Sequence, residues 1–460
     1  MPHASLRSLG MTSAGENDGV CCYTLRAANL PGFDLMTKRV IVAHYHELWL
    51  KGGNRRFFLS KLRSAVRTTL EGLDLERVTQ PADRLVIELG EEASLEEARA
   101  RLERVFGVAY YAVARPVDRG GQQPLEDICR AAWEEISTER FSTFAVRAKR
   151  SDKSFPHSVM EIETFVGRYL LDRLRAAGRE VRVQLRDPEL TCRIEIPPGP
   201  ALVYARKIPG PGGLPANTAG RMACLLSGGF DSAVAAYKMM RRGAHLTFVH
   251  FWGGGARAGE SSVHVARELV RRLAPYQFTA KLHLVPFEAI QREIVSQAPE
   301  TYRILLYRRM MLRITERLAL ADRAQGIVSG DSLGQVASQT LHNMVAVGDA
   351  VRMPVFRPLA GDDKQEILAI ARKIGTYEIS AEPFHDCCPL FLPRTPALHA
   401  LAEELDQAEA RLDVPALVER GVESATRERY RYSSGRVEKI EDVRSAEAGL
   451  RTETQRASAQ

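Results

Sequence analysis

Residues 227–232, with the sequence Ser-Gly-Gly-Phe-Asp-Ser, are the part of this chain best suited to holding a charged ligand. Two adjacent glycines allow backbone N–H groups to approach an anion closely, and the N-terminus of a following helix adds a favourable partial charge. The P-loop pattern is different, because there a Gly-Lys-Ser/Thr follows the first glycine at a fixed spacing. The segment therefore predicts a phosphate-binding loop, and an ordinary strand-to-helix turn is the alternative.

Two charged residues are candidates for chemistry at an ATP site built around this loop. Asp231 could approach the phosphates through Mg²⁺, or it could cap the helix that follows the loop, and the two roles are compatible. Lys364 begins a helix farther along the chain, and its alternative interpretation is a solvated surface lysine, which is the common case.

Four of the seven cysteines fall into two kinds. Cys224 lies in an apolar run and Cys192 alternates with apolar residues, so we expect both to be buried and unreactive. Cys387 and Cys388 lie in the proline-bounded segment Glu-Pro-Phe-His-Asp-Cys-Cys-Pro, residues 382–389. A loop cysteine near a nucleotide site and cations can have a lowered pKa and act as a nucleophile, and a buried or incidental pair is the alternative. The odd count and the lack of Cys-x-x-Cys predict a reducing cytosol and no metal site.

Around the loop, strands and helices alternate from residue 221 to residue 395. The pattern predicts a strand over 222–226, an alanine-rich helix that ends near Gly243, and further strands and helices that end with a helix over 364–374. Such alternation predicts a parallel sheet with helices on both faces, whose ligands bind at the carboxyl ends of the strands. The 227–232 loop lies at such an end.

The rest of the chain divides into segments of different composition. We expect residues 1–36 to be a disordered leader or an over-extended start, with Met1, Met11 and Met36 as candidate first residues. Two small α+β units follow, and a Pro/Gly-rich linker precedes the alternating region. We expect the charged end of the chain to be one amphipathic helix and a disordered tail. The predicted boundaries are 37–101 and 102–207 for the α+β units, 208–220 for the linker, and 396–460 for the tail.

The charge of the chain suggests a polyanionic partner, because its net charge is +7 and its pI is about 9.0. Two basic clusters, within residues 51–56 and 147–150, support this better than the total charge does. No apolar run approaches the roughly 18 residues that a membrane helix needs, and the start of the chain lacks the apolar core of a signal peptide. We therefore expect a cytoplasmic protein without a membrane partner.

Several blocks of sequence, in order, resemble the ThiI family of tRNA 4-thiouridine synthetases over residues 37–395. The resemblance implies an N-terminal ferredoxin-like domain, a THUMP RNA-binding domain, and a PP-loop parallel-sheet domain of the adenine nucleotide alpha hydrolase type, over 37–101, 102–207 and 221–395. The blocks are Lys-Gly-Gly-Asn-Arg-Arg at 51–56, Phe-Ala-Val-Arg-Ala-Lys-Arg at 144–150, the PP-loop at 226–232, Tyr-Arg-Arg-Met-Met at 307–311, Gly-Asp-Ser-Leu-Gly-Gln-Val-Ala-Ser-Gln at 330–339, and Arg-Pro-Leu followed by Asp-Lys at 357–364.

The family's activity implies that this chain uses ATP and Mg²⁺ to adenylate O4 of uridine 8 in tRNA, after which a cysteine persulfide delivers sulfur to C4. The implied partners are tRNA, a cysteine desulfurase or another persulfide donor, and a sulfur-carrier protein of thiamine thiazole synthesis; a homodimer is a reasonable expectation for the assembly. Carried over to this sequence, the catalytic residues are Cys387, Asp231 and Lys364. The ATP-binding residues are Leu225, Leu226, Ser227, Gly228, Gly229, Ser232, His250, Phe251, Arg308, Gly330 and Gln339. The RNA-binding residues are Lys51, Arg55, Arg56, Arg147, Lys149 and Arg150.

Two departures from the family and two competing functions remain open. No cysteine follows Cys388 and no rhodanese domain fits after residue 400, so we expect sulfur to come from a separate donor; whether Cys388 resolves the persulfide is open. Trp-Gly-Gly-Gly-Ala at 252–256 replaces an expected Ser/Pro-containing segment, which puts the local lid in doubt. The competing functions are another PP-loop ligase, such as a lysidine-type tRNA ligase, and a non-catalytic RNA-binding module.

Overall fold

The computed structural model describes residues 39–253, 255–383 and 395–440, apart from the side chains of residues 49–51 and 255–259. The predicted leader, Cys387, Cys388 and the chain after residue 440 lie outside the described residues. The side chain of Lys51 and most of the Trp-Gly-Gly-Gly-Ala segment do so as well, so the expectations placed on them stay predictions.

The N-terminal half is built on one nine-stranded sheet. Its helices are α1 (Arg55–Thr69), α2 (Leu95–Leu102), α3 (Pro124–Ile136) and α4 (Val159–Ala176). Its strands are β1 (Val40–His44), β2 (Leu75–Thr79), β3 (Arg84–Leu89), β4 (Tyr110–Val117), β5 (Thr143–Arg150), β6 (Arg182–Val183), β7 (Leu190–Ile196), β8 (Ala201–Tyr204) and β9 (Ile208–Pro209). The strand order is β2-β3-β1-β4-β8-β7-β5-β6, and β9 pairs with β4.

Strand β4 joins the two predicted α+β units. Residues 110–114 pair with β1, and residues 115–117 pair with β8. Helices α1 and α2 pack on the strands of the first unit, and α3 and α4 pack on those of the second. The predicted boundary at residue 101 therefore lies before β4. This strand pairs with β1 of the first unit as well as with β8 of the second, so it belongs to both units.

The linker predicted over 208–220 is packed against its neighbours. Gly210 and Gly212 donate backbone hydrogen bonds to Ala109 and Val108, at 2.9 and 2.8 Å, and Leu214 is buried. The N-terminal half and the second half of the chain are therefore connected by an ordered segment.

The second half is built on a seven-stranded sheet in the order β14-β13-β10-β11-β12-β15-β16. Its strands are β10 (Arg221–Leu225), β11 (His245–Trp252), β12 (Thr279–Pro286), β13 (Ile327–Val328), β14 (Val355–Phe356), β15 (Thr426–Ser433) and β16 (Arg436–Ile440). Its helices are α5 (Phe230–Arg241), α6 (Gly255–Leu273), α7 (Glu288–Gln297), α8 (Arg303–Ala321), α9 (Leu341–Gly348), α10 (Lys364–Ile374), α11 (Tyr377–Ala381), α12 (Ala402–Glu409) and α13 (Val414–Glu423).

The predicted parallel sheet with two covered faces is confirmed for β14, β13, β10, β11 and β12, which all run parallel. Neighbouring residues of one strand face opposite layers: Phe248 packs with α5, α6 and α10, and Val249 packs with α7, α8 and α13. The loop after β10 therefore lies at the carboxyl edge, as the sequence predicts. Helix α10 has the predicted bounds, with the Asp363 capping box at its start and Gly375, at φ 71°, after its end.

The end of the chain was predicted wrongly as a helix and a disordered tail. Residues 402–423 form two helices, and residues 426–440 form the hairpin β15–β16, whose first strand pairs antiparallel with β12. Every second residue of β15 is buried, including Tyr430 and Tyr432. The exposed arginines between them lower the mean hydropathy of the segment, which made a half-buried strand resemble a solvated tail.

Candidate active site

The loop between β10 and α5 is held by a single buried serine. The hydroxyl of Ser232, which is 4% exposed, accepts a hydrogen bond from the Ser227 N–H at 3.1 Å and lies 3.2 Å from the Ser227 carbonyl oxygen. Gly229 occupies the N-cap of α5 in extended backbone, and its N–H donates to Ser227 Oγ at 3.3 Å. These contacts fix the turn so that the start of α5 faces the carboxyl edge of the sheet.

A cavity of about 500 Å³ opens beside this loop. One wall is apolar and comes from β10, β11 and α8, including Val249, Ile304 and Met311. The opposite wall carries hydroxyl, carboxylate and guanidinium groups, as expected for a site that binds an apolar base and a charged phosphate chain. Its lining includes the predicted catalytic residue Asp231 and eight predicted ATP-binding residues: Leu225, Leu226, Ser227, Ser232, Phe251, Arg308, Gly330 and Gln339.

Two predicted catalytic residues meet at the edge of the cavity. Lys364, the first residue of α10, lies with its Nζ 2.7 Å from Oδ1 of Asp231 in the first turn of α5. Gln335 donates to the other carboxylate oxygen of Asp231 at 3.0 Å. Lys364 Nζ also lies 5.6 Å from the centre of the Phe230 ring. The pair places one cation and one carboxylate beside the loop, although the two residues are far apart in sequence.

Gly330 allows the segment after β13 to lie directly against the start of α5. A Cβ atom at this position would lie 2.7 Å from the Ser232 N–H nitrogen, closer than real Cβ atoms come to backbone. The absence of a side chain is therefore a steric requirement for the shape of the cavity.

Asp331 organises the polar wall, and the sequence reasoning missed it. Its carboxylate forms a salt bridge with Arg308, accepts a hydrogen bond from Ser329 Oγ at 2.6 Å, and accepts one from Gln339 Nε2 at 3.3 Å. Burial opposes its charge, but Arg308 and Ser329 outweigh this and lower the pKa of Asp331. Arg308 and Gln339 line the cavity, so Asp331 orients two predicted ATP contacts. The available signal in the sequence was an acidic residue in the segment that follows β13, at the carboxyl edge of the sheet.

His250 lies behind the loop and does not line the cavity. It is 1% exposed, its Nδ1 is 2.8 Å from the Leu226 carbonyl oxygen, and its Nε2 is 2.7 Å from Ser262 Oγ. The predicted role as an ATP contact therefore becomes one of positioning the residue that precedes the loop. Gly228 and Gly229 belong to the loop itself and are likewise not part of the cavity lining.

The described cysteines are poor nucleophiles. Cys129, Cys192 and Cys224 are buried free thiols, and burial raises the pKa of each to about 12. The expectation that Cys192 and Cys224 are buried and unreactive is confirmed. The nucleophile predicted at Cys387 lies outside the described residues.

The predicted RNA-binding residues occupy different environments. Arg56 is exposed and Arg55 is half-buried. Arg147 and Lys149 are exposed at the end of β5, where Arg147 donates to the Leu185 carbonyl at 2.6 Å and Lys149 pairs with Asp83. Arg150 donates to the Phe155 and His157 carbonyls, at 3.0 and 2.9 Å. Arg150 thus shapes the loop before α4, whereas Arg147 and Lys149 are more accessible to a partner, although Lys149 is paired with Asp83.

In the part of the chain that the structure describes, no group of three or more His, Cys, Asp or Glu side chains is arranged to hold a metal ion. In the same residues, no helix combines the length and the apolar character that crossing a membrane requires.

Three family models match the chain, in the order of its structural units. The ThiI ferredoxin-like domain matches residues 40–112, the THUMP domain matches 125–205, and a model described as "Thiamine biosynthesis protein (ThiI)" matches 217–414. A protein of Thermus thermophilus named "Probable tRNA sulfurtransferase" is 43% identical over 83% of this chain and 92% of its own length. One of the same name from Moorella thermoacetica is 40% identical over 82% and 94%.

Among solved structures, the crystal structure of a 4-thiouridine synthetase–RNA complex with bound ATP is similar to this chain. The TM-score is 0.76 at 31% identity, and the match covers 88% of this chain and 100% of the other. Both the order of the domains and their arrangement are therefore shared with a protein that binds RNA and ATP.

Proposed function

The chain belongs to the ThiI family and is a tRNA sulfurtransferase, and we propose that it converts uridine 8 of tRNA to 4-thiouridine through adenylation of O4 and attack by a cysteine persulfide. The observation that carries the mechanism is the cavity at the 227–232 loop, with the Asp231–Lys364 pair at its edge. A non-catalytic RNA-binding module would have no use for this arrangement.

In the first proposed step, O4 of the uridine attacks the α-phosphorus of ATP and pyrophosphate leaves. Negative charge grows on the leaving group, so the enzyme needs donors and cations already oriented toward it. The backbone amides at the start of α5 and the ammonium group of Lys364 lie beside the 227–232 loop, and both could stabilise the charge on the leaving pyrophosphate. Arg308, held by Asp331, supplies a further fixed cation in the cavity wall.

Mg²⁺ fits this site as an ion that arrives with ATP. In nucleotide sites it is bound by one or two carboxylates together with the phosphates and water, and not by a protein cage. Asp231 supplies a carboxylate at the mouth of the cavity. Lys364 contacts one of its oxygens and Gln335 contacts the other. When bound, the ion would neutralise charge on the phosphates.

In the second proposed step, the terminal sulfur of a Cys387 persulfide attacks C4 and AMP leaves. The link from C4 through two sulfurs to Cys387 is then broken by a second thiol that attacks the Cys387 sulfur. This leaves one sulfur on C4 and a disulfide on Cys387, which an external thiol reductant must reduce before the next cycle. A cysteine desulfurase or another persulfide donor would reload Cys387.

The RNA is proposed to bind through the THUMP and ferredoxin-like domains, with Arg56, Arg147 and Lys149 among the phosphate contacts. Their exposure and charge support this role. The contacts of Arg150 support a structural role for that residue instead. Lys51 and Arg55 stay predictions, as do a homodimer and a cytoplasmic location.

A second sulfur acceptor is favoured by one family description, which names thiamine biosynthesis. The proposal therefore includes transfer of the Cys387 sulfur to a carrier protein of thiazole synthesis. A thiamine requirement in cells that lack the gene, relieved by the wild-type chain, would distinguish this acceptor from tRNA alone.

The test is nucleoside mass spectrometry of tRNA from cells that lack the gene and receive wild type, Cys387→Ser or Cys388→Ser. We expect 4-thiouridine with wild type and Cys388→Ser, and none with Cys387→Ser. Cys387→Ser should still exchange labelled pyrophosphate into ATP in the presence of tRNA, which separates loss of the nucleophile from loss of folding. A reduced yield with Cys388→Ser would identify Cys388 as the second thiol.

Failure of wild type to restore 4-thiouridine would contradict the function and favour another PP-loop ligase. Exchange of pyrophosphate by a Cys387→Ser protein with undiminished thiolation would leave the adenylation step in place and remove Cys387 from the mechanism.

A further inference from the structure

The Asp231–Lys364 pair has a counterpart to which the proposed chemistry assigns no role. Lys238 lies on α5 about two turns after Asp231, on the same face of the helix. Its ammonium group forms a salt bridge with Asp362, which precedes α10, and lies 3.5 Å from the Pro358 carbonyl oxygen. Two ion pairs therefore connect α5 to the start of α10 and to the turn before it.

The two ion pairs have opposite polarity. At the edge of the cavity the acid belongs to α5 and the base to α10, whereas in the second pair the base belongs to α5 and the acid to the turn before α10. A displacement of α10 along α5 would bring Lys364 toward Lys238, or Asp362 toward Asp231. Either movement places like charges together and separates opposite charges, and both changes cost electrostatic energy. The arrangement therefore fixes the position of α10 along α5.

The turn that carries Asp362 is also attached to the segment that forms the polar wall of the ATP cavity. Ser332 Oγ donates to the Asp362 carbonyl oxygen at 3.0 Å, and the Leu333 N–H donates to the Ala360 carbonyl oxygen at 3.2 Å. Both donors belong to the segment after β13, parts of which line the cavity. Lys238 and Asp362 are not among the described residues of the lining. The second ion pair therefore supports the site from outside the cavity.

Lys364 has to exchange one contact for another in the proposed adenylation step. Its Nζ lies 2.7 Å from Asp231 Oδ1, and it must share or leave this contact to stabilise the charge on the leaving pyrophosphate. A lysine ammonium group sits on a flexible stem, so the positions that it can reach depend on where the backbone of residue 364 is held. When the contact with Asp231 weakens, the Lys238–Asp362 pair still connects α5 to the start of α10.

We propose that Lys238 and Asp362 are positioning residues for adenylation, which hold the start of α10 so that Lys364 reaches the phosphates of ATP. They act through Lys364 and do not contact the substrate. The role in adenylation rests on the proposed function, whereas the constraint on Lys364 rests on the ion pairs and hydrogen bonds alone.

The experiment measures tRNA-dependent exchange of labelled pyrophosphate into ATP by the full chain, for wild type, Lys238→Met, Asp362→Asn and the double variant. We expect each variant to lower kcat about tenfold, because a misplaced catalytic group reduces the rate, and to leave the KM for ATP within about twofold of wild type. Lys238→Arg keeps the charge and should retain most of the rate. The control is Glu378→Gln, which removes an exposed negative charge from the neighbouring helix α11 and should behave as wild type does.

A second measurement does not depend on the reaction. Acetylation of Lys364 by an amine-reactive ester, followed by peptide mass spectrometry, should be several-fold faster in both Lys238→Met and Asp362→Asn than in wild type. The two substitutions change the local charge in opposite directions, so a faster rate in both reports a loosened residue and not the change in charge.

Equal kcat for wild type and the variants would overturn the proposal. A lower melting temperature with an unchanged acetylation rate would also overturn it, because the pair would then only stabilise the fold. If wild type exchanges no pyrophosphate while acetylation of Lys364 depends on Lys238 and Asp362, the proposed function fails and the constraint on Lys364 stands.

Discussion

Gly330 is the residue at which the shape of the ATP cavity depends most directly on a missing side chain. The segment after β13 passes so close to the first turn of α5 that a Cβ atom would lie 2.7 Å from the Ser232 nitrogen and 2.9 Å from the Asp231 carbonyl carbon. Backbone atoms on both sides cannot yield as a flexible side chain would. A methyl group here must therefore move the loop, Asp331 or both.

We expect Gly330→Ala to weaken ATP binding at least tenfold, about 1.4 kcal/mol or more, because the contacts of Ser232 and Asp331 shift together. Titration calorimetry with ATP measures the effect. The matched control is Gly361→Ala, since a Cβ at Gly361 meets nothing within 4 Å, and its affinity should be unchanged. If Gly330→Ala binds ATP as tightly as wild type does, the cavity tolerates a wider separation between the segment after β13 and the start of α5. The close approach at Gly330 would then not be required for ATP binding.

The composition of the site could be predicted from the sequence better than its contacts could. The loop, Arg308, Gly330 and Gln339 line one cavity, and Asp231 meets Lys364 across a long stretch of chain, as expected. His250 and Arg150 were predicted to contact ligands, but His250 contacts the Leu226 carbonyl and Ser262 Oγ, and Arg150 donates to backbone carbonyls. A sequence pattern does not show whether a polar side chain contacts a ligand or another part of the chain, because the same residue types form both kinds of contact.

At the scale of elements, the hairpin β15–β16 joins the catalytic sheet to the ferredoxin-like domain. Tyr432 Oη lies 3.4 Å from the Thr69 carbonyl oxygen, and Ser433 Oγ lies 3.0 Å from Glu71 Oε2, both at the end of α1. Ser434 and Gly435 have φ of 49° and 83°, as in a type I′ turn. The alternating Tyr430 and Tyr432 followed by Ser-Gly were the sequence signal for this hairpin, but the many charges obscured it.

Glu428 is the buried acid that fastens β15 to its neighbours. Its carboxylate accepts hydrogen bonds from Arg267 of α6, from Lys439 of β16 and from Tyr430 Oη. Burial opposes the charge, but Arg267 and Lys439 outweigh it, and the pKa of Glu428 is lowered from 4.5 to about 2. Because the folded state lowers this pKa, the stabilisation is complete above about pH 4.5 and is lost as the pH falls toward 2.

Glu428→Gln should therefore destabilise the protein at pH 7, by about 1–3 kcal/mol for a buried acceptor to charged donors. The difference in melting temperature between variant and wild type should shrink as the pH falls from 4.5 toward 2. Thermal unfolding across this range measures it, with Glu438→Gln, an exposed acid of the same hairpin, as the control that changes little. If the difference in melting temperature stays constant with pH, the packing of the Glu428 side chain, and not its charge, stabilises the hairpin.

At the scale of the whole molecule, one continuous N-terminal sheet joins two domains that match separate family models, and we expect the two to unfold together. The match to two separate family models, at 40–112 and 125–205, gives no hint of this, because each describes its own strands. The junction is a buried charge cluster. Arg84 of β3, which is fully buried, pairs with Glu195 of β7, and Glu195 accepts from Tyr204 Oη at 2.6 Å and lies 3.0 Å from His44 Nε2.

Glu195→Gln should destabilise both halves of this sheet together, by about 1–3 kcal/mol, because it removes one of the two carboxylates that pair with the buried Arg84 and leaves Asp83 as the other. Hydrogen exchange followed by mass spectrometry measures this in peptides from β1 and from β7, which should both exchange faster by similar factors. Glu180→Gln, an exposed acid after α4, is the control. Faster exchange in β7 alone would mean that the two domains open independently, since a shared unit cannot lose protection on one side only. In that case the RNA surfaces on the two domains would have to be aligned by the RNA itself, and not by the sheet.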